Sequence, residues 1–180
     1  MEIIGISGPP CSGKDVAAEY IAEQYGYSRV STGDLLRARA RELNIELGRT
    51  SLQLLGTRLR AENGGEDPLL SLALREAKVN TVFTGIRTVK AAESIISENG
   101  RLLYVDAPVA RRYKRSIERD RADHSTYEEF IAQDKVEHLG SNDIDTSLLS
   151  IRSIASMTII NDGSLHDYLR HVDNFVTNTQ

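Results

Sequence analysis

Residues 8–14 read Gly-Pro-Pro-Cys-Ser-Gly-Lys, which places two glycines and a lysine at the spacing Gly-x4-Gly-Lys. Glycines let the backbone curl so that successive N–H groups point inward, and the start of a following helix adds further N–H groups. Together they form a site for phosphate oxygens, and Lys14 adds a cation that can follow charge on the β- and γ-phosphates. The predicted phosphate-binding residues are Gly8, Pro9, Pro10, Cys11, Ser12, Gly13 and Lys14.

The residue after the lysine departs from the usual form of this P-loop motif. A serine or threonine normally stands there and binds Mg²⁺ through its hydroxyl, but this chain has Asp15. A carboxylate is a hard oxygen ligand, so Asp15 could hold Mg²⁺ directly or through water. It could also be an acidic first-turn residue that the helix dipole stabilises. We expect Asp15 to be a metal ligand, with ATP and Mg²⁺ as cofactors.

Strand and helix patterns alternate along the chain around this loop. Short apolar runs predict strands at residues 2–7, 27–31, 81–86, 101–106 and 156–161. Helical spacing or helix-boundary residues predict helices at residues 14–25, 35–43, 50–61, 68–77, 89–97, 108–119, 127–137 and 165–176. Alternation implies right-handed crossovers, and hence an α/β fold: a three-layer α/β/α domain over residues 1–180 with a five-stranded parallel sheet. Ligands of such sheets bind at the carboxyl ends of the strands.

Composition limits the classes of partner. The chain has 180 residues and a net charge of −4, and an acidic balance argues against a nucleic-acid-binding surface. Its single cysteine, Cys11, has no partner for an internal disulfide, which favours a reducing, cytoplasmic location. The apolar run at residues 3–6 is too short for a signal peptide, and no stretch approaches the roughly 20 apolar residues that cross a bilayer. We expect small-molecule nucleotide partners and no membrane partner; the oligomeric state stays open.

A second motif, Ser-Thr-Gly-Asp-Leu-Leu-Arg at residues 31–37, follows the second predicted strand. It resembles the segment that adenylate kinases and related nucleoside monophosphate kinases have at this place. The resemblance implies that Thr32 lies against the acceptor nucleotide, with Asp34 beside it, and that Arg37 grips the acceptor phosphate. Arg87, in Gly-Ile-Arg at the end of the third strand, resembles the second arginine of that clamp. The alternatives are a helix N-cap for the motif and surface salt bridges for the arginines.

Two positions depart from the family pattern. Thr84 stands where the family has an aspartate that contacts the Mg²⁺ waters, and Ala91 stands where adenylate kinases read adenine with a glutamine. Asp15 could compensate for the first loss by supplying a carboxylate from another loop. The second loss removes the main reason to name AMP as the acceptor.

Five arginines crowd the predicted helix at residues 108–119 and its exit: Arg111, Arg112, Arg115, Arg119 and Arg121. Three of them are spaced by four residues and share a helix face, where like charges repel unless a polyanion lies opposite. Phosphoryl transfer needs such cations over the transferring group. The family has an arginine lid here, at about residues 119–127, and Arg115 and Arg119 match the Arg-x3-Arg pair that precedes it. The resemblance implies that Arg115 stacks on the donor base and that Arg119 reaches phosphates. The alternative is a solvated basic face, balanced by Glu118, Asp120 and Asp123.

The resemblance covers nearly the whole chain, and the second half is closer to dephospho-coenzyme A kinases. The segments TGIR, YVDAP, RADHSTYEEFIAQD and NDGS carry this second likeness. It implies that residues 161–164, including Asn161 and Gly163, hold the donor adenine through backbone contacts. Residues 45–77 would form a helical acceptor-binding arm or, alternatively, a dimer surface.

We expect an ATP-dependent kinase of a small phosphorylated acceptor, with Lys14, Arg87, Arg115 and Arg119 as catalytic residues. A nucleoside monophosphate acceptor needs no general base, because its attacking oxygen is already anionic. A dephospho-coenzyme A kinase would attack with a ribose hydroxyl, for which Asp34 is the candidate base. A third possibility is a nucleotide-binding regulatory module without turnover.

Overall fold

Five parallel strands form the central layer of the computed structural model, which describes residues 1–118, 126–140 and 146–178. The strands are β1 (Ile3–Ser7), β2 (Ser28–Ser31), β3 (Thr81–Ile86), β4 (Arg101–Asp106) and β5 (Met157–Ile160). They lie in the order β2-β3-β1-β4-β5, and every neighbouring pair is parallel. The carboxyl ends of all five strands therefore lie at one edge of the sheet, where the predicted motifs fall.

Helices cover both faces of this sheet, which confirms the predicted three-layer α/β/α fold. The described helices are α1 (Lys14–Tyr25), α2 (Thr32–Glu42), α3 (Arg49–Glu62), α4 (Pro68–Glu76), α5 (Val89–Ser97), α6 (Val109–Glu118), α7 (Tyr127–Leu139), α8 (Leu148–Ser153) and α9 (Leu165–Thr177). The short helix α8 was not predicted, because six residues are too few to show a helical period. Helix α2 begins at Thr32 rather than residue 35, because the Ser31 side chain caps it by accepting a hydrogen bond from Asp34 N.

Two apolar clusters hold the layers together, one on each face of the sheet. Alternate residues of β1 serve both: Ile4 and Ile6 pack on the side of α1 and α9, whereas Ile3 packs on the side of α5. All five residues of β1 are buried, as expected for a central parallel strand. The loop that follows β1 therefore starts from the centre of the folded core.

The predicted arm corresponds to α3 and α4, which follow α2 beyond the end of β2. The predicted lid at residues 119–127 lies outside the described residues except for its last two, and so do Arg119 and Arg121. In the described part of the chain, no helix has the length and apolar character needed to cross a membrane.

Candidate active site

The loop between β1 and α1 has the curled backbone that phosphate binding requires. Gly8, Cys11 and Gly13 have φ values of 141°, 60° and 109°. Gly8 is also required by space, since a Cβ there would overlap the carbonyl oxygen of Val105. Gly13 stands at the N-cap of α1 and has no side chain to cap it, so the N–H groups of the first helical turn stay available to an anion.

Three side chains from the second half of the chain brace this loop by binding its carbonyl groups. Asn161 Nδ2 donates to Ser12 O at 2.8 Å, and Tyr168 Oη donates to Gly13 O at 3.0 Å. Arg115 Nη1 donates to Cys11 O at 3.1 Å and to Ser12 O at 3.2 Å. With its carbonyl groups held on the outside, the loop keeps its N–H groups turned toward the phosphate position.

Lys14 lies against the same loop, and its Nζ donates to Pro9 O at 3.3 Å. Desolvation by the surrounding protein lowers the pKa of Lys14, the carboxylate of Asp15 opposes this, and the charge of Arg87 lowers the pKa further. A partly desolvated ammonium attracts a phosphate oxygen more strongly than one in water. Arg87 follows Ile86, which pairs with Ser7 at the end of β1, so Lys14 and Arg87 lie at the same edge of the sheet although they are far apart in the sequence.

A cleft of about 470 Å³, open to solvent, lies beside the phosphate loop, between α6 and the start of α9. Its lining residues are Cys11, Gly13, Val16, Arg115, Asn161, Gly163, Leu165 and Tyr168. Arg115 Nη2 also lies 3.4 Å from Asn161 O. We call this space the donor cleft, because it continues from the phosphate loop to residues 161–164.

A second cleft, also of about 470 Å³, lies between α2, the arm helices α3 and α4, and the end of β3. We call it the acceptor cleft. Its lining residues are Thr32, Gly33, Leu36, Gly56, Leu59, Arg60, Asp67, Leu69, Gly85, Arg87, Thr88 and Ala91.

The predicted acceptor-binding residues divide into two groups. Thr32 and Arg87 line the acceptor cleft, and Thr32 Oγ1 donates to Gly85 O at 2.9 Å. Asp34 and Arg37 pair with each other at 2.6 Å, one helical turn apart on α2, with side chains 66% and 40% exposed and outside the cleft lining. Arg37 would have to exchange this ion pair for a ligand, and such an exposed pair is weak, worth about 0–1 kcal/mol.

The arginines of α6 have three different environments. Arg111 is exposed and pairs with Asp162 at 2.7 Å. Arg112 is only 3% exposed: its Nη2 donates to Asp134 Oδ2 at 2.7 Å and its Nε to Ala107 O at 2.8 Å. The alternative of a solvated basic face is therefore wrong for Arg112, because α7 folds back and buries it. Arg115 alone of these three contacts the phosphate loop.

Comparisons with known proteins agree with this geometry. Residues 7–130, more than half of the chain, match the AAA domain family. The chain belongs to the AAA domain family. A UPF0200 protein of Aeropyrum pernix is 27% identical over 168 residues, which cover 92% of this chain and 87% of the relative. A deoxycytidylate deaminase of Schizosaccharomyces pombe is 25% identical over 173 residues, which cover 94% of this chain and 48% of the deaminase.

Among solved structures, the AAA domain resembles a shikimate kinase from Acinetobacter baumannii in complex with shikimate. The two superpose with a TM-score of 0.63 over 99% of this chain and 95% of the other, at 14% sequence identity. At that identity the likeness concerns the fold alone. The likeness thus agrees with the three-layer α/β/α P-loop fold that the motifs predicted.

The sequence did not reveal three polar side chains of this AAA domain's site. Asn161 was predicted to act through its backbone, yet its side chain holds the phosphate loop, and Tyr168 reads in the sequence as one more apolar position of α9. Arg60 lines the acceptor cleft, but nothing in the sequence separates it from the neighbouring Arg58, which faces solvent and pairs with Glu62. The only sequence feature that could have indicated Arg60 is its spacing of four residues from Gly56, which places both on one face of α3.

Proposed function

We propose that this AAA domain is an ATP-dependent kinase that phosphorylates a nucleoside monophosphate. The observation that carries the proposal is the position of Arg87: it lines the acceptor cleft and directly follows Ile86, whose strand partner Ser7 leads into the phosphate loop. Donor and acceptor phosphates bound at these two places would meet beside Arg87. A cation at that meeting point stabilises the negative charge that spreads over the transferring group.

The proposed donor site is the phosphate loop and the donor cleft. Backbone N–H groups of residues 8–14 would hold the phosphates of ATP, and Lys14 would follow the transferring group. Arg115 would hold the loop and, from the wall of the donor cleft, contact the adenine, with Asn161 and Gly163 on the same wall. Arg119 is proposed as a further cation over the phosphates, by resemblance alone.

Asp15 fits a magnesium ligand because it presents hard carboxylate oxygens in the first turn of α1, next to Lys14. Bound Mg²⁺ would neutralise charge on the transferring phosphate oxygens. Asp15 would orient that ion directly or through water, and its own charge supports the protonated state of Lys14, whose pKa burial lowers.

The proposed acceptor site uses Thr32 and Arg87, with Arg37 and Asp34 at its outer side. One carboxylate oxygen of Asp34 is bound by Arg37 Nη1, and the Asp34 side chain is largely exposed. This supports an attacking oxygen that is already anionic, as in a nucleoside monophosphate, over a hydroxyl that needs Asp34 as a base. Phosphorylation of dephospho-coenzyme A is the alternative, and Asp34→Asn would distinguish the two reactions. Dephospho-coenzyme A phosphorylation should lose most of its rate in this variant, whereas nucleoside monophosphate phosphorylation should not.

An ADP-release assay tests the proposal directly. The acceptors are AMP, CMP, UMP, GMP, dTMP, dCMP, the other deoxynucleotides and dephospho-coenzyme A, each with ATP and Mg²⁺; dCMP is included because a relative is named for a reaction of that nucleotide. We expect acceptor-dependent ADP release with at least one nucleoside monophosphate. ATP binding without ADP release from any acceptor would contradict the kinase and favour a regulatory module.

Arg87→Ala should lower kcat/KM for the acceptor by roughly 100-fold, the usual effect of removing one donor that stabilises the transition state. The KM for ATP should change little, because the donor phosphates are held mainly by the loop. Arg39→Ala is the matched control, since Arg39 is an exposed arginine of α2 that pairs with Glu42. Equal losses of kcat/KM in the two variants would show that Arg87 takes no part in the reaction.

Asn161→Ala should weaken ATP binding by loosening the phosphate loop. It removes the shorter of the two hydrogen bonds to the carbonyl of Ser12 and leaves only the bond from Arg115, which costs about 0.5–1.5 kcal/mol of unfolding free energy. We expect a lower urea midpoint and a higher Kd for ATP by calorimetry. Asn174→Ala, an exposed position on α9, should change neither. An Asn161→Ala protein with unaltered Kd would show that the loop keeps its shape without this brace.

A further inference from the structure

Arg60 of α3 is a half-buried cation whose hydrogen-bonding capacity is not met by the protein. Its side chain lines the acceptor cleft, and its Nε is buried without a hydrogen-bond partner among the described residues. Its Nη2 reaches Thr57 Oγ1 only at 3.5 Å. Buried donors of this kind are rare and costly, and a bound ligand is one of the few ways to satisfy them.

The charges around Arg60 add to this requirement. Desolvation lowers the pKa of Arg60, the carboxylate of Asp67 opposes that effect, and the positive charge of Arg87 adds to it. The Oδ1 of Asp67 is already engaged, because it accepts hydrogen bonds from Leu69 N and Leu70 N as the N-cap of α4. Lone pairs of a bound molecule would stabilise the guanidinium that the protein leaves incompletely solvated.

The position of Arg60 along the cleft distinguishes it from Arg87. Arg87 directly follows β3, which pairs with β1 and ends beside the phosphate loop, whereas Arg60 lies on the arm helix α3. The order is therefore Lys14, Arg87, Arg60, from the phosphate loop into the acceptor cleft. A phosphate placed to react beside Lys14 and Arg87 would leave Arg60 facing the rest of the acceptor molecule.

The surroundings of Arg60 are suited to a flat ring. The Nη1 of Arg60 lies beside Leu36 against the backbone of Gly56, where even a Cβ would be crowded by both side chains. Leu59, Leu69 and Ala91 supply further apolar lining. Apolar walls with a few placed polar groups are the usual composition of a site for a small organic ligand.

We propose that Arg60 binds the base of the acceptor nucleotide and sets base preference, while Arg87 binds its phosphate; this rests on the proposed kinase function. A guanidinium offers donors only, so it favours a base edge that presents neighbouring lone pairs. Guanine presents O6 and N7 in this way, and cytosine O2 and N3, whereas the base edges of adenine and uracil alternate donors with acceptors. Arg60 is therefore expected to favour guanine or cytosine nucleotides.

The test measures binding separately from turnover. Calorimetry with GMP, CMP, AMP and UMP compares the wild-type protein with Arg60→Met, Arg60→Lys and, as the matched control on the same helix, Arg58→Met. We expect Arg60→Met to raise the Kd of the preferred guanine or cytosine nucleotide by roughly tenfold or more and that of UMP much less. Arg60→Lys should recover only part of the loss, and Arg58→Met should bind as the wild type does.

Three outcomes would overturn the inference: an equal loss for all four nucleotides, which would make Arg60 a phosphate ligand; no loss for any; or no binding of any of them to the wild-type protein. Failure of the kinase proposal would look different. If the ranking of Kd values depends on Arg60 but no nucleotide leads to ADP release, base recognition by Arg60 stands and the kinase proposal fails. If ADP is released but the ranking of nucleotide Kd values is unchanged in Arg60→Met, the kinase proposal stands and base recognition by Arg60 fails. Thermal unfolding of each variant verifies that it is folded.

Discussion

Gly8→Ala is expected to abolish ATP binding, with a Kd at least roughly 100-fold higher than that of the wild-type protein. The added Cβ would occupy the position of the Val105 carbonyl oxygen, and φ at residue 8 is 141°, where a side chain is strained in any case. The loop can accept alanine only by moving away from β4. Its N–H groups would then no longer converge on one phosphate oxygen. Calorimetry with ATP measures the loss.

Gly26→Ala is the control for this prediction. It introduces the backbone strain of a side chain at positive φ without the steric overlap expected at residue 8. Gly26 also has a positive φ, 70°, but a Cβ there would meet no described residue within 4 Å other than its neighbours in the chain. We expect it to cost about 1 kcal/mol of unfolding free energy and to leave the Kd for ATP unchanged. Wild-type ATP affinity in a folded Gly8→Ala protein would refute the assigned role of the loop.

Arg112→Ala is expected to lower the free energy of unfolding by about 3–5 kcal/mol, the usual cost of removing one partner from a buried ion pair. Asp134, only 13% exposed, would keep its charge without the bidentate partner, and Ala107 O would lose a donor. Because Arg112 joins α6 to α7, its loss should also loosen the turn of α6 that carries Arg115. Urea unfolding followed by circular dichroism gives the free energy.

Arg111→Ala is the matched control, one residue away on the same helix. Its pair with Asp162 is exposed on both sides, so its removal should cost at most about 1 kcal/mol. The double variant Arg112→Met with Asp134→Leu removes both charges and should regain much of the stability that Arg112→Ala loses. Equal stability of the Arg111→Ala and Arg112→Ala proteins would contradict the role assigned to the buried pair.

Much of the fold follows from local sequence. The strands Thr81–Ile86 and Arg101–Asp106 and the helix Val89–Ser97 have the predicted bounds, because apolar runs and N-cap or turn residues mark both ends of each. Boundaries were less accurate where a side-chain contact decides them, as at Ser31, which starts α2 earlier than its apolar pattern indicates. Helix α8 has too few residues for its apolar periodicity to predict a helix.

The site was predictable only where its chemistry lies within one short segment. Glycine and lysine spacing identified the phosphate loop, but Asn161 reaches Ser12 across 149 positions, and no local pattern encodes that contact. The sequence likewise did not distinguish Arg111 from Arg112 on α6. Their environments differ because α7 packs on one face of α6 and buries Arg112, and the sequence shows neither the packing nor its partner Asp134.

The braces on the phosphate loop impose an order on folding during synthesis. The loop stands at the start of the chain, but the groups that satisfy its carbonyls, Arg115, Asn161 and Tyr168, are made much later. Strand β1 also cannot pair with its neighbours until β3 and β4, between which it lies, have been synthesised. A nascent chain on the ribosome therefore cannot assemble its nucleotide site until α9 has emerged, and an interrupted chain leaves that loop unsupported.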